Sequence, residues 1–244
     1  MLTIKNRAGR ADGMGAGGII GLCLAAALAG CSVLPTPPTR AEVYDFGPGL
    51  TVFQPNAAAP AGQAAQATLT PGSAPASTGM RVPVALAEVA TTGVPEGSTA
   101  VLYRLAYANA QHLRPYTQAR WSQPPAQLVQ QALRDQMGQR RAVLLGEEGI
   151  AQLLDDGRPP LVVRVQLEEF SQVFSAPASS GGLVRLRVSL GESTTAGEKL
   201  VAQRVFTVQR PAATADAVGG TRALAEATAQ AAADVEQWLE QLGR

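Results

Sequence analysis

One histidine and two cysteines are all that this 244-residue chain offers to the chemistry of those side chains. His112 stands alone, so a Ser-His-Asp or Cys-His arrangement would have to be built around it, and no partner is identifiable for it. It is expected as an exposed histidine in a hairpin loop. Zinc sites draw on Cys and His, and once the N-terminal segment discussed below is removed only Cys31 and His112 remain. No metal and no cofactor are therefore expected. No Gly-rich phosphate loop follows a strand, and Gly181-Gly182 falls where a turn between strands is expected. Lysine occurs only at Lys5 and Lys199, and the formal net charge is +1 with no basic run, which removes the electrostatic case for nucleic acid. The apolar stretch Ile19 to Leu28 is shorter than the roughly 20 residues that span a bilayer. The carboxylates come in adjacent pairs: Glu147-Glu148, Asp155-Asp156 and Glu168-Glu169. Neighbours along a strand point to opposite faces, so these are expected as solvated surface rather than as acid/base dyads. With no catalytic residue to name, the chain is not expected to be an enzyme.

What is present begins at the N-terminus. Lys5, Arg7 and Arg10 give a positive start, an uncharged apolar core follows, and Ala29 and Gly30 are small. These are the parts of a secretory signal. The run Leu28-Ala29-Gly30-Cys31 resembles the lipobox of bacterial lipoproteins, in which a lipid is attached to the cysteine and the preceding segment is removed. That resemblance implies a signal peptide over residues 1–30 and lipid attachment, palmitate included, at Cys31. Cys23 lies in the removed segment, so no internal disulfide is available to the mature chain. One acyl chain holds a protein to a membrane only marginally, and the several chains carried by such lipoproteins imply a stable anchor. Ser32 stands where an aspartate would favour retention at the inner membrane. The sorting pattern thus implies the outer membrane, facing the periplasm. Residues 1–30 carry Lys5, Arg7, Arg10 and Asp12; without them 20 basic and 19 acidic residues become 17 and 18, a net of about −1.

Pro35-Thr36-Pro37-Pro38 is a stiff spacer, making residues 31–41 a lipidated tether and 42–244 the domain. Val43 to Phe46 reads as a short strand. From Gln54 to Gly79 the composition is Ala, Pro, Gly, Gln, Ser and Thr without charge, and such a segment is expected to be disordered. It either lengthens the tether or loops out between two strands. Val82, Val84 and Leu86 alternate as a strand, as do Val101, Tyr103, Leu105 and Tyr107; Tyr116 to Trp121 returns as a hairpin partner around Asn109 to Leu113. Ser122 to Pro125 opens a helix striped by Leu128, Val129, Ala132, Leu133 and Met137 and ended by Gly138. A short strand over Ala142 to Leu145 and a helical turn over Ile150 to Leu154 follow. Leu161 to Leu167 alternates cleanly, with a slip at Glu169-Phe170 that predicts a bulge. Val184 to Leu190 and Leu200 to Val208 complete an antiparallel meander, with turns expected at Ser179 to Gly182 and Gly191 to Gly197. Arg185 and Arg187 share one strand face, and Arg164 is a candidate to join them, as an anion site or, the favoured reading, as the ordinary wet side of the sheet. A long helix from Asp216 or Thr221 to Leu242 presents Leu224, Thr228, Ala231, Val235 and Trp238. The expected fold class is α/β (α+β): a single domain whose sheet, largely an antiparallel meander, is packed by two helices including the long C-terminal one.

The order of these landmarks carries a second resemblance. Tyr44-Asp45-Phe46-Gly47, Val101-Leu102-Tyr103-Arg104, Tyr116, Trp121, Pro124-Pro125, the strand Leu161 to Phe170, Arg204-Val205-Phe206 and the Ala-rich helix ending in Trp238-Leu239 follow the pattern of the auxiliary lipoproteins of ABC-type transport systems. These include the paraquat-inducible lipoprotein family and work with MCE-domain (MlaD-like) proteins. The resemblance implies a non-catalytic accessory subunit in a lipid-trafficking machine. Its partners would be the MCE protein, the ABC transporter subunits and further copies of itself, and its membrane contact the N-terminal lipid. Activators of peptidoglycan synthases combine a lipobox, an Ala/Pro-rich reach and a small α/β domain, and are the alternative.

Overall fold

The computed structural model describes residues 40–47, 81–154 and 156–243. The expected signal peptide, Cys31 and the Gln54–Gly79 insert lie outside the described residues. One strand organises everything else. β7 (Leu161–Ala176) buries Leu161, Val163, Val165 and Leu167 on one face and exposes Arg164 and Gln166 on the other. Along one edge it pairs antiparallel with β8 (Ser179–Thr194), which pairs with β9 (Gly197–Pro211). This is the expected meander. The register shifts between Leu167 and Glu169, so the predicted bulge is present. Beyond it the buried phase moves by one residue, to Phe170, Gln172 and Phe174.

The other edge of β7 holds three short strands in succession: β2 (Arg81–Leu86), β3 (Ala90–Thr91) and β4 (Ala100–Leu105). Val84 lies opposite Leu161, Ala90 opposite Gln166 and Tyr103 opposite Gln172, all parallel. The chain thus walks along β7 as one interrupted strand. β4 turns back through the single-turn helix α1 (Ala106–Asn109) into β5 (Ala110–Trp121), the expected hairpin with its turn placed earlier than Asn109 to Leu113. β1 (Glu42–Tyr44) adds to β5 in parallel, and β6 (Arg141–Leu145) adds to β2 in parallel. The nine-stranded sheet is therefore mixed: antiparallel in the meander and the β4–β5 hairpin, parallel elsewhere. Because β1 and β2 belong to one sheet, residues 48–80 connect two strands of it.

Two helices cover one face. α2 (Pro125–Gly138) starts with proline in its first turn, where a missing N–H costs nothing, and buries Leu128, Val129, Leu133 and Met137. After β6 comes the short α3 (Gly146–Ala151), which begins earlier than the expected turn at Ile150 because Gly146 takes φ +64° and breaks the strand. α4 (Ala217–Gln241) is capped by Asp216, whose side chain accepts from the Gly219 amide at 2.8 Å. Its buried stripe is Leu224, Ala227, Thr228, Ala231, Val235 and Leu239, and it packs on β7, β8, β9 and α2.

Gly181 and Gly182 lie inside β8, not in a turn; the turn is at 177–178. Likewise Gly191 is in β8, and the second turn is at 195–196. The reason is close approach: of β9 at Gly181 and Gly191, and of the helix at Gly182. A Cβ on Gly182 would stand 2.5 Å from the Leu224 nitrogen of α4. Glycine here lets two backbones meet. Gly182→Ala is expected to cost about 1–3 kcal/mol through overpacking. Gly138→Ala, where nothing lies within 4 Å of the new Cβ, should change stability by about 0.5 kcal/mol or less. Urea unfolding of the two variants checks the contrast.

Candidate functional site

The three arginines singled out by alternation do share the outer, helix-free face of the sheet. Each is already held by a carboxylate. Arg185 Nε donates to Glu168 Oε2 and Arg187 Nε to Glu168 Oε1, both at 2.7 Å. Arg164 meets Glu198 through Nε at 3.0 Å and Nη2 at 2.8 Å. Desolvation pushes the Glu168 carboxyl up, but the hydrogen bonds and charges of Arg187 and Arg185 outweigh it, and it titrates below the ordinary range. The face is a lattice of paired charges, which favours the wet-side reading over an anion site. The bulge also corrects one expectation. Glu168 and Glu169 do not point to opposite faces: Glu169 lies opposite Arg185 in register and takes Arg104, at 3.0 Å, on the same outer face. Each carboxylate has its own guanidinium, so they form no dyad.

This face makes a pH prediction. Glu168 is depressed by its arginines, and Asp216 by the Gly219 amide and the Thr214 hydroxyl. A depressed carboxylate contributes stability that is complete above the unfolded-state value, near about 4, and is lost as pH falls through the lower folded-state value. The urea midpoint should hold between neutral pH and about 5 and fall below about 4. Glu168→Gln combined with Asp216→Asn should flatten the fall.

His112 is exposed at the start of β5, where its Nδ1 accepts from Arg114 Nε at 3.2 Å. Glu147 and Glu148 occupy the first turn of α3, and Asp156 is held by Arg158 at 2.5 Å. Trp121 and Trp238 pack in the core, Trp121 against Phe46 and Phe170 and Trp238 against Phe206. Among the described residues no three His, Cys, Asp or Glu side chains gather as a metal site, and no helix is long and apolar enough to cross a membrane.

Two features were not legible beforehand. The first is the junction of β2, β6 and the last turns of α4. Arg141, fully buried, donates to Glu236 Oε1 through Nη2 at 2.9 Å and Nε at 3.3 Å. Arg81 pairs with Glu240 at 2.8 Å, and Arg140 pairs with the same carboxylate. This cluster fixes the helix end to the point where the chain re-enters the sheet. The second is the seat of the N-terminal strand. Tyr44 O accepts from the Ser122 amide at 2.7 Å, and the Phe46 ring lies 5.7 Å from that of Trp121 and 6.3 Å from that of Phe170. The Tyr44 hydroxyl donates to Glu42, and that bond, with burial and the charges of Glu42 and Asp216, pushes it up to about 12. Residues 42–46 are thereby locked into the sheet.

Two surface clefts accompany these features. One of about 580 Å³ is lined by Glu88, Gln127, Gln131, Arg134, Glu147 and Glu148 among others. The other, of about 270 Å³, lies between α2 and α4 beside Arg140, Glu236 and Glu240. Both are lined mainly by Glu, Gln and Arg side chains.

A single α/β domain with a mixed nine-stranded sheet, two covering helices and an N-terminal edge strand defines the class. The chain belongs to the family described as ABC-type transport auxiliary lipoprotein component, whose model matches residues 67–236. Among solved structures it is similar to a Xanthomonas campestris protein of family DUF330, with TM-score 0.54 and 17% identity over 67% of this chain and 86% of that one. It is also similar to a hypothetical protein of Chlamydia trachomatis (TM-score 0.40, 10% identity, 65% and 98% covered) and to the PelC dodecamer of Paraburkholderia phytofirmans (TM-score 0.38, 10% identity, 63% and 88% covered). No curated protein matches the chain.

Proposed function

We propose that this chain is the accessory lipoprotein of an MCE-type ABC transport system, anchored through Cys31 in the outer membrane and facing the periplasm. It docks the transporter near that membrane and assists the passage of phospholipid or another hydrophobic cargo. It performs no chemistry itself; ATP hydrolysis belongs to another subunit. Membership of the transport auxiliary family carries this reading. The fold also weakens the peptidoglycan-synthase alternative. With β1 seated in the sheet, the Ala/Pro-rich segment does not extend the reach from Cys31 to the body. That reach is Cys31 to Glu42, at most about 35–40 Å of extended chain.

The test is copurification of a tagged, functional full-length chain from detergent-solubilised envelopes. An MCE-domain protein together with a permease and an ATPase is expected. Recovery of a peptidoglycan synthase in their place would overturn the proposal in favour of the alternative.

A further inference from the structure

β9 gives the sheet a long open edge. It has fifteen residues, and among the described residues it pairs with β8 alone. The other outer strands are short or blocked. β1 has three residues; β6 has five and is flanked by α2 and α3; β5 carries Pro115 in the stretch that β1 leaves bare. In an antiparallel strand every second residue turns its N–H and C=O away from its partner. No described backbone group meets those of β9 on that outer side. Edges of this kind accept another strand unless they are blunted. Here the blunting sits at the ends. Gly191 pairs with Leu200 and Leu190 with Ala202, so Val201 is a bulged extra residue, and Pro211 closes the far end. Between them Ala202 to Arg210 runs regularly for about 30 Å.

The charges along this edge say what suits it. At the turn end they are already balanced: Glu198 is held by Arg164, and Lys199 stands opposite Glu192. Arg204 and Arg210 form no ion pair among the described residues. Arg204 is exposed, with its guanidinium 5.3 Å from the centre of the Phe206 ring. Arg210 donates to neutral Gln230 at 2.6 Å, and Gln230 donates in turn to Asp234, which offsets Arg210 in part across one side chain. Alternation puts the two arginines on one face of β9, with Phe206 and Val208 between them. Both keep donors in the planar fork that matches a carboxylate. Leu200, beside the bulge, is 61% exposed. From this edge we infer that β9 takes a further strand: an extended segment of a partner protein, with carboxylate side chains opposite Arg204 and Arg210 and an apolar one beside Leu200. Main-chain hydrogen bonds hold such a strand, and its side chains select it. A second copy of this chain is the poorer match, because its β9 brings the same arginines and its Glu198 is already held. Nothing in this chemistry depends on which protein carries the segment, so it stands apart from the MCE reading.

The test measures amide hydrogen exchange over Ala202 to Arg210 in the purified full chain, with and without a synthetic peptide. The peptide alternates valine and threonine and carries two glutamates with the spacing of Arg204 and Arg210; a control peptide has lysine at both positions. In the dilute chain every second amide of this run should exchange fast. The glutamate peptide should slow those amides several-fold, and the lysine peptide should not. Arg204→Gln with Arg210→Gln should weaken the glutamate peptide roughly tenfold, about what two exposed ion pairs supply, with the urea midpoint little changed. Four results would overturn the inference. Slow exchange in the dilute chain alone would mean that this chain covers its own edge. Slow exchange that appears only as protein concentration rises would mean that a second copy covers it. Equal slowing by the lysine peptide would remove the charge argument, and no slowing by the glutamate peptide in large excess would remove the strand. Each of these leaves the MCE reading standing, because copurification tests that separately.

Discussion

Replacing Arg141 by methionine is expected to remove about 3–5 kcal/mol of stability, because it leaves the Glu236 carboxylate buried without its partner. The side chains of both residues are almost wholly shielded from water, at 0% and 2% exposure. The guanidinium also reaches the Val82 carbonyl at 3.5 Å, so one side chain joins β6, β2 and α4. In a domain of this size the loss corresponds to a fall in Tm of roughly 10 °C. The double variant Arg141→Met with Glu236→Leu removes both charges together and should recover most of the loss. Urea or thermal unfolding of the single and double variants measures the coupling. If the single variant lost under about 1 kcal/mol, the buried pair would not be the fastening described here.

The second large effect concerns Cys31. Under the anchor reading, Cys31→Ser leaves the chain without its lipid and should transfer it from the membrane pellet to the soluble periplasmic fraction. The fold should not change, since the first seated residues, Glu42 to Tyr44, are held by β5 and by the edge-to-face contact of Phe46 with Trp121. The expected result is loss of membrane association with an unaltered unfolding curve. Membrane fractionation identical to the natural chain would contradict acylation as the anchor.

Much of the fold could be read from residue order, and the failures have physical causes. β7 was legible to the level of its bulge, because Leu161 to Leu167 alternates strictly and Phe170 breaks the phase. The C-terminal helix was legible from its four- and three-residue steps; of its two expected starts, Asp216 and Thr221, the structure takes the first, with Asp216 as the cap. Glycine misled at Gly181, Gly182 and Gly191, because the residue that permits a turn also permits close approach, of the helix at Gly182 and of β9 at Gly181 and Gly191, and one sequence does not separate the two. The succession of β2, β3 and β4 along β7 left no local signal. Parallel pairing joins residues about 70 to 80 positions apart, as in Val84 with Leu161, and periodicity reports only a strand's own faces. The start of β5 at Ala110 was missed because Ala110 to Arg114 is polar and does not alternate.

The site divides the same way. Alternation placed Arg164, Arg185 and Arg187 on one face, and the structure agrees. Their partners Glu168 and Glu198 were not legible, since each carboxylate belongs to a different strand from the arginines it holds and a strand's own alternation does not report pairing. The Arg141–Glu236 pair spans 95 positions and has no motif. What the sequence alone could raise, and the fold could narrow, is the tether. With β1 in the sheet, the Ala/Pro-rich stretch joins two strands, and the distance from Cys31 to the body is short.

That short distance makes placement the central claim: the body works where the lipid puts it, against a transporter's MCE-domain partner. The most direct measurement is cross-linking in intact cells of the tagged natural chain and of Cys31→Ser at matched periplasmic levels. The account predicts that the natural chain captures an MCE-domain protein and that the Cys31→Ser chain, folded but untethered, captures much less. Equal capture by both forms, or no MCE-domain protein captured by a functional natural chain, would contradict it.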